Sequence, residues 1–172
     1  MLNYLRNIPN QTIIIGVMGG AETDNESYLM AYKLGEQIAK AGWILLNGGR
    51  NCGVMEASAK GAKKNGGLTI GILPDSHTEN MSQWIDIPIL TGMGMARNAI
   101  NVLSSNVIVA CPGGAGTLSE IALALKSNRK VIAMGWPSKS SFDVFSGRNQ
   151  LFYASTPEEA IYKIQLILEK KS

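Results

Sequence analysis

Histidine and cysteine are almost missing from this chain of 172 residues, which has one of the first and two of the second. Cys52 and Cys111 form no Cys-x-x-Cys pair and stand in no His/Cys cluster. That argues against a disulfide framework or a protein-ligated metal and fits a reducing, intracellular compartment. His77, the lone histidine, lies in a polar stretch, and no Gly-x-Ser-x-Gly elbow occurs, so a serine triad has neither its base nor its nucleophile turn. Charge is scarce as well, at 17% of residues and +3 net. The basic residues are dispersed apart from Lys63-Lys64 and Lys170-Lys171, so no nucleic-acid stripe is expected. No apolar run approaches the roughly 20 residues that span a bilayer, and Met1 to Pro9 carries no signal-peptide pattern. A cytoplasmic protein with no membrane partner is the expectation.

What the chain has in quantity is glycine, 19 residues of it, set between short apolar runs. Thr12 to Val17, Trp43 to Leu46, Leu68 to Ile72, Ile85 to Leu90, the run from Val107 up to its stop at Pro112, and Val131 to Met134 read as strands. Helices fall between them. Ala31, Leu34, Gly35, Ile38 and Ala39 share one helical face, with Ser27 as the expected N-cap and Gly42 as the stop. Val54 to Lys64 is a second helix, closed by Asn65-Gly-Gly67. Others run from about Asn98 to Ser104 and from Leu118 to Leu125, the latter broken by Ser127-Asn128. Thr156-Pro-Glu-Glu159 joins an N-cap, a proline at the first helical position and a capping-box glutamate, and starts a helix with Ala160, Ile161, Ile164, Ile167 and Leu168 inward. A Gly/Pro/Ser-rich loop from Gly135 to about Gly147 precedes it. Regular alternation without a linker predicts one domain over residues 1–172, an α/β fold with a parallel sheet and helices on both faces.

Four glycine-rich loops follow strands: Met18 to Ala21, Asn47 to Gly53, Thr91 to Gly94 and Pro112 to Gly116. In open parallel sheets ligands bind at the carboxyl ends of the strands, so these loops should line one crevice. The stretch from Val107 to Glu120 is the most telling. A buried strand stops at Pro112, three glycines follow in Gly113-Gly-Ala-Gly116, and Thr117 opens a helix. Free backbone N–H groups and a helix dipole there suit an anion. The chemistry is narrowed by what the loops omit. None supplies the lysine of GxxxxGK[ST], the first strand is followed by Gly16-x-x-Gly19-Gly20 and not GxGxxG, and the second strand ends in Asn47, not an acidic ribose reader. Arg50 and Arg97 are the cations and Glu120 the carboxylate of the expected crevice. Arg97 at a helix start either answers an anion, pairs with Glu120 or lies on the surface. For Glu120 a capping box with Thr117 competes with catalysis. Met93 and Met95 either pad a ring system or fill space.

At these residues the chain resembles a known family. Pro112-Gly-Gly-Ala-Gly-Thr-Leu-Ser-Glu120 is similar to the PGGxGTxxE motif of the Lonely Guy family, once described as lysine decarboxylases. Asn47-Gly-Gly-Arg-Asn-Cys-Gly-Val-Met55 resembles its GGGxxGLM motif, and Arg97 matches its pre-motif arginine. The resemblance implies a Rossmann-like, doubly wound sheet, a homo-oligomer (dimer or tetramer) and a phosphate-ribosyl site. In the hydrolase branch Arg97 and Glu120 occupy the catalytic positions for cleaving nucleoside 5′-monophosphates. Two departures point elsewhere: Met95-Ala-Arg-Asn98 replaces His-x-Arg-Lys, and Ser119-Glu120 replaces a pair of glutamates. Losing one carboxylate weakens both general-acid and oxocarbenium-stabilising work.

The wording of Gly71-Ile-Leu-Pro74, Thr91 to Asn98 and Gly116 to Ala122 is closer to a sister branch that contains molybdenum cofactor carrier proteins. That likeness implies a carrier for an anionic, phosphate-bearing molecule, the molybdenum cofactor (molybdopterin). Its expected contacts are Gly19, Gly20, Gly49, Arg50, Asn51, Met95, Arg97, Asn98, Gly113, Gly114, Ala115, Gly116 and Thr117. A nucleoside-5′-monophosphate phosphoribohydrolase is the enzyme alternative, with Arg97 and Glu120 catalytic. A DNA-processing role is remote, because no basic groove is evident.

Overall fold

The computed structural model describes residues 12–136 and 149–170. The reading of Met1 to Pro9 and most of the loop expected up to Gly147 lie outside the described residues. Seven strands form a single sheet in the order β4-β3-β2-β1-β5-β6-β7. They are β1 (Ile14–Met18), β2 (Ile44–Asn47), β3 (Thr69–Leu73), β4 (Ile87–Leu90), β5 (Val107–Ala110), β6 (Lys130–Met134) and β7 (Leu151–Ala154). Every pairing is parallel. The helices are α1 (Asn25–Lys40), α2 (Gly53–Lys64), α3 (Asn98–Leu103), α4 (Ala115–Lys126) and α5 (Pro157–Glu169), with a short 3-10 turn, Gly94–Arg97, before α3. Two apolar cores result. Ile15, Val17, Leu45, Val107, Val109 and Ile132 pack with α1, α2 and α5, and Leu46, Ile72, Ile108 and Val131 pack with α3 and α4. This is the expected Rossmann-like α/β fold, with helices on both faces.

Boundaries differ where local chemistry decides them. Asp24, not Ser27, caps α1, accepting a hydrogen bond from the Ser27 N–H. A carboxylate facing the positive end of a helix is favoured over a hydroxyl one turn inside it. Gly42 and Gly66 stop α1 and α2 as expected, each with φ near +75° in a Schellman closure: Trp43 N–H bonds Ile38 and Gly67 N–H bonds Ala62. Helix α4 starts at Ala115 behind Gly114, so Thr117 and Glu120 lie inside it and form no capping box. Thr156 caps α5 as expected, while Glu159 reaches past it to the N–H of Ser155. Strand β7 was not expected. Leu151-Phe-Tyr-Ala154 is short and edge-placed, with only its outer two residues buried, so its sequence carries no period.

The sheet order places a topological switch between β1 and β5. From there the chain winds outward to β2 on one side and to β6 on the other, leaving a crevice above the carboxyl ends of β1 and β5. The loop after β1 is steered by how closely α1 and α2 approach. A Cβ on Gly35 would stand 2.0 Å from the Ser58 carbonyl oxygen, and one on Gly61 would stand 2.0 Å from that of Tyr32.

A methyl group at Gly35 gains about 1 kcal/mol of helix propensity. Against that, overpacking onto a backbone carbonyl costs about 1–3 kcal/mol, because neither helix can move without disturbing its strand. Gly35→Ala is therefore expected to lower stability by up to about 2 kcal/mol in urea titration. An unchanged or raised midpoint would show that the two helices part freely.

Candidate functional site

Gly20 joins three loops. Its N–H donates to the Pro112 carbonyl at 3.0 Å, and its carbonyl accepts from Val54 N–H at 3.0 Å, at the start of α2. Each neighbour needs a glycine to allow this. A Cβ on Gly53 would lie 2.1 Å from the Gly20 oxygen, and one on Gly113 would lie 2.2 Å from Thr117 Oγ1 and 2.6 Å from Gly20 N. Asn47, fully buried, fixes the loop after β2: Nδ2 donates to Met55 O at 2.9 Å and to Ser58 Oγ at 3.1 Å, and Oδ1 accepts from Gly49 N–H at 2.8 Å. The loops are thus pre-formed by hydrogen bonds among themselves.

They enclose a cavity of about 270 Å³ at the switch point. Its wall includes Val17, Met18, Gly19, Gly20 and Ala21 after β1, Gly48 and Met55 from the second loop and helix, Met95, Arg97 and Asn98 from the turn before α3, and Gly114, Gly116, Thr117 and Glu120 from α4. The first N–H groups of α4 have no acceptor within the helix, and no side chain caps them. Two further cavities adjoin. One, of about 510 Å³, lies beyond the Gly20–Gly113 contact, against Glu22, Asp24 and Ser27. The other, about 750 Å³ and mainly apolar, runs from Met95 and Asn98 along α3 and α4 to Leu123.

Arg97 is the central charge. It is only 8% exposed, its Nη1 lies 3.9 Å from Glu120 Oε1, and its Nε finds no acceptor among the described residues. Gly48 makes room for it: a Cβ there would meet Nη1 at 2.5 Å. Burial lowers the guanidinium's pKa, and Glu120 only partly opposes the shift. Glu120, 6% exposed, accepts from Asn101 Nδ2 at 2.8 Å, and Asn101 Oδ1 is itself buried without a partner among the described residues. Burial pushes the Glu120 carboxyl above its ordinary 4.5, against the pull of Asn101 and Arg97. Of the three roles open to Arg97, the surface one is excluded. Cys111 is inert, its thiol pushed up to about 12 by burial, and burial also raises Cys52.

The structure gathers most of the expected site residues and sets others aside. Gly19, Gly20, Met95, Arg97, Asn98, Gly114, Gly116 and Thr117 line the central cavity. Gly113 faces the neighbouring one, and Ala115 the apolar groove. Gly49, Arg50 and Asn51 do not line the cavity. Their backbone is drawn toward the connection before β4, with Ser82 N–H on Gly49 O, Asn51 N–H on Asn80 O and Arg50 bridged to Met81. The Arg50 guanidinium holds Asp75 through contacts of 2.9 and 3.1 Å. The third loop contributes through Met95, Arg97 and Asn98 just beyond it and not through Gly92 or Gly94. Sequence reasoning missed Gly48, Asn101 and Asp75, since partners brought together by the fold leave no local signal. Ser119, where the hydrolases carry glutamate, accepts from Asn98 Nδ2 at 2.9 Å and donates to Gly116 O at 2.7 Å, tying α3 to α4.

Comparison with known proteins places the fold and the family. The family model described as SLOG cluster4 family matches residues 12–161. The molybdenum cofactor binding protein of the phototrophic bacterium Rippkaea orientalis is 50% identical, with a TM-score of 0.88 over 93% of this chain and 99% of that one. The molybdenum cofactor carrier protein of Chlamydomonas reinhardtii is 44% identical, with a TM-score of 0.84 over 92% and 99%. A cytokinin riboside 5′-monophosphate phosphoribohydrolase of Mycobacterium marinum is 30% identical over 66% of this chain and 62% of its own length.

The raised Glu120 pKa carries a sign. The folded protein holds that proton more tightly than the unfolded chain does. Glu120's contribution is therefore fully present below pH 4.5 and is lost as pH rises from 4.5 through the higher folded value. Glu120→Gln removes this titration. Its denaturation midpoint should match the parent's near pH 4 and exceed it near pH 8. A lower midpoint near pH 8 would mean that pairing with Arg97 outweighs the burial of the carboxylate.

Proposed function

The chain belongs to the SLOG cluster4 family, in the Lonely Guy-like superfamily near its molybdenum cofactor carrier branch, and from that premise we propose that it carries or stores the molybdenum cofactor without turning it over. The observation that supports this most is Arg97, a buried guanidinium whose Nε has no partner among the described residues, beside a helix N-terminus that no side chain caps. A buried cation whose donors are unused is costly unless a ligand uses them. A phosphate does so, taking charge-assisted hydrogen bonds from Arg97 and backbone N–H groups from Gly113 to Thr117.

A cavity of about 270 Å³ suits a phosphoryl group and its neighbourhood, not a whole pterin cofactor. The rest of the ligand extends along Met95 and Asn98 and toward Gly49, Arg50 and Asn51 at the rim. Arg50 remains usable there. Its pair with Asp75 is partly exposed, at 38% and 24%, and such pairs are worth about 1 kcal/mol or less. In this reading the cofactor is cargo, and no side chain of the protein ligates its metal. The protein works as a homo-oligomer, a dimer or tetramer, in the cytoplasm.

A phosphoribohydrolase is the second reading, favoured by Glu120 standing in the same cavity as Arg97. Ser119 counts against it, since its hydroxyl is committed to Asn98 and Gly116 where the hydrolases place a second carboxylate.

Two assays separate the readings. Purified protein should slow the decay of molybdenum cofactor released from a molybdoenzyme, and should free no base from AMP or N6-substituted AMP. Arg97→Ala should weaken cofactor retention about 10- to 100-fold, the loss of a charge-assisted hydrogen-bonding group. Absence of protection, or base release that Glu120→Ala abolishes in a folded variant, would overturn the carrier reading.

A further inference from the structure

Two cations and two carboxylates interact around the cavity. Arg97 feels Glu120, Arg50 and Asp75, and Arg50 is itself paired with Asp75. The set is balanced before any ligand arrives. A phosphate monoester adds two negative charges beside Arg97, within the same wall that holds Glu120. Glu120 cannot swing away, because it is 6% exposed inside α4 and its Oε1 is held by Asn101 at 2.8 Å. Among the described residues, the elements around it present Arg97 and Asn101 from the turn and α3, Thr117 from its own helix, and apolar Val17, Met18 and Met55 from β1 and α2. Arg50 and Asp75 act at longer range through Arg97. Among the described residues, no cation other than Arg97 lines this wall to hold a second anion.

We propose that Glu120 takes up one proton from solvent when the phosphate binds, and that Asn101 is the positioning residue that keeps this carboxyl against Arg97. The proton becomes a hydrogen-bond donor to the ligand, no bond of the ligand breaks, and Arg97 passes from Glu120 to the phosphate. With Oε1 receiving the Asn101 amide, Oε2 carries the proton. Burial already biases Glu120 toward its acid form. The carrier would then hold its cargo more tightly as pH falls and release it as pH rises. This inference rests on the anion-site reading above.

Ribose 5-phosphate is a suitable probe, because it has no base to lose and is dianionic near pH 8. Calorimetry near pH 8, in buffers of different ionisation enthalpy, should show uptake of about one proton per site by the wild-type protein. Above the Glu120 pKa, affinity should fall about tenfold per pH unit. Glu120→Gln, which mimics the protonated acid, should take up no proton, bind at least as tightly near pH 8 and lose that slope. Asn101→Leu should alter the wild-type pH profile, whereas a purely structural role would change only stability. Wild-type binding without proton uptake, or uptake that persists in Glu120→Gln, would overturn the proposal and leave the anion site standing. If neither protein binds the probe, the anion-site reading falls with it.

Discussion

Keeping a guanidinium out of water is the constraint on which the site turns. Arg97 is nearly buried, and among the described residues the carboxylate nearest it, Glu120, stands at 3.9 Å, beyond hydrogen-bonding distance. Desolvation of such a charge costs several kcal/mol unless its donors are used. The surroundings accommodate Arg97 sterically, through Gly48, and electrostatically, through Glu120 held by Asn101, but among the described residues none accepts from its Nε. Incomplete compensation of a buried cation is a state that an anion completes. The protein therefore invests stability in a site that is satisfied only when loaded.

That investment depends on rigid loops, because a mobile arginine would turn to solvent. Gly20 links the loops after β1 and β5 to the start of α2, and Asn47 locks the loop after β2. The close α1–α2 approach through Gly35 and Gly61 keeps these helix starts in register. Strand order does the rest: β1 and β5 are neighbours, so two glycine loops far apart in sequence open on one crevice. The segment before α3 leaves edge strand β4 and crosses back to bring Arg97 to that crevice.

Much of this is legible in the sequence. Runs such as Thr12 to Val17 and the one from Val107 up to Pro112 announce buried parallel strands, because both faces of such strands are apolar. The glycine spacing after them marks the ligand edge, and Arg97 and Glu120 stand out as charges beside it. Other features were not legible. Whether Glu120 caps its own helix or meets Arg97 depends on a helix start two residues earlier than Thr117, behind an extended Gly114. Asn101 and Asp75 become site residues only through partners nineteen and twenty-five positions away. Arg50 belongs to a loop whose motif suggests the cavity, yet the strand-like bridge to Met81 turns it to the rim. Strand β7 was hidden by its brevity.

Backbone and side-chain amide shifts, followed by NMR as a phosphate monoester is added, test the central claim most directly. The account predicts that the Gly114 to Thr117 amides and the Arg97 Nε–H move together along one saturable curve, with the Arg97 signal becoming slower to exchange. Saturable shifts confined to other surfaces, with Arg97 and the start of α4 unmoved, would contradict it.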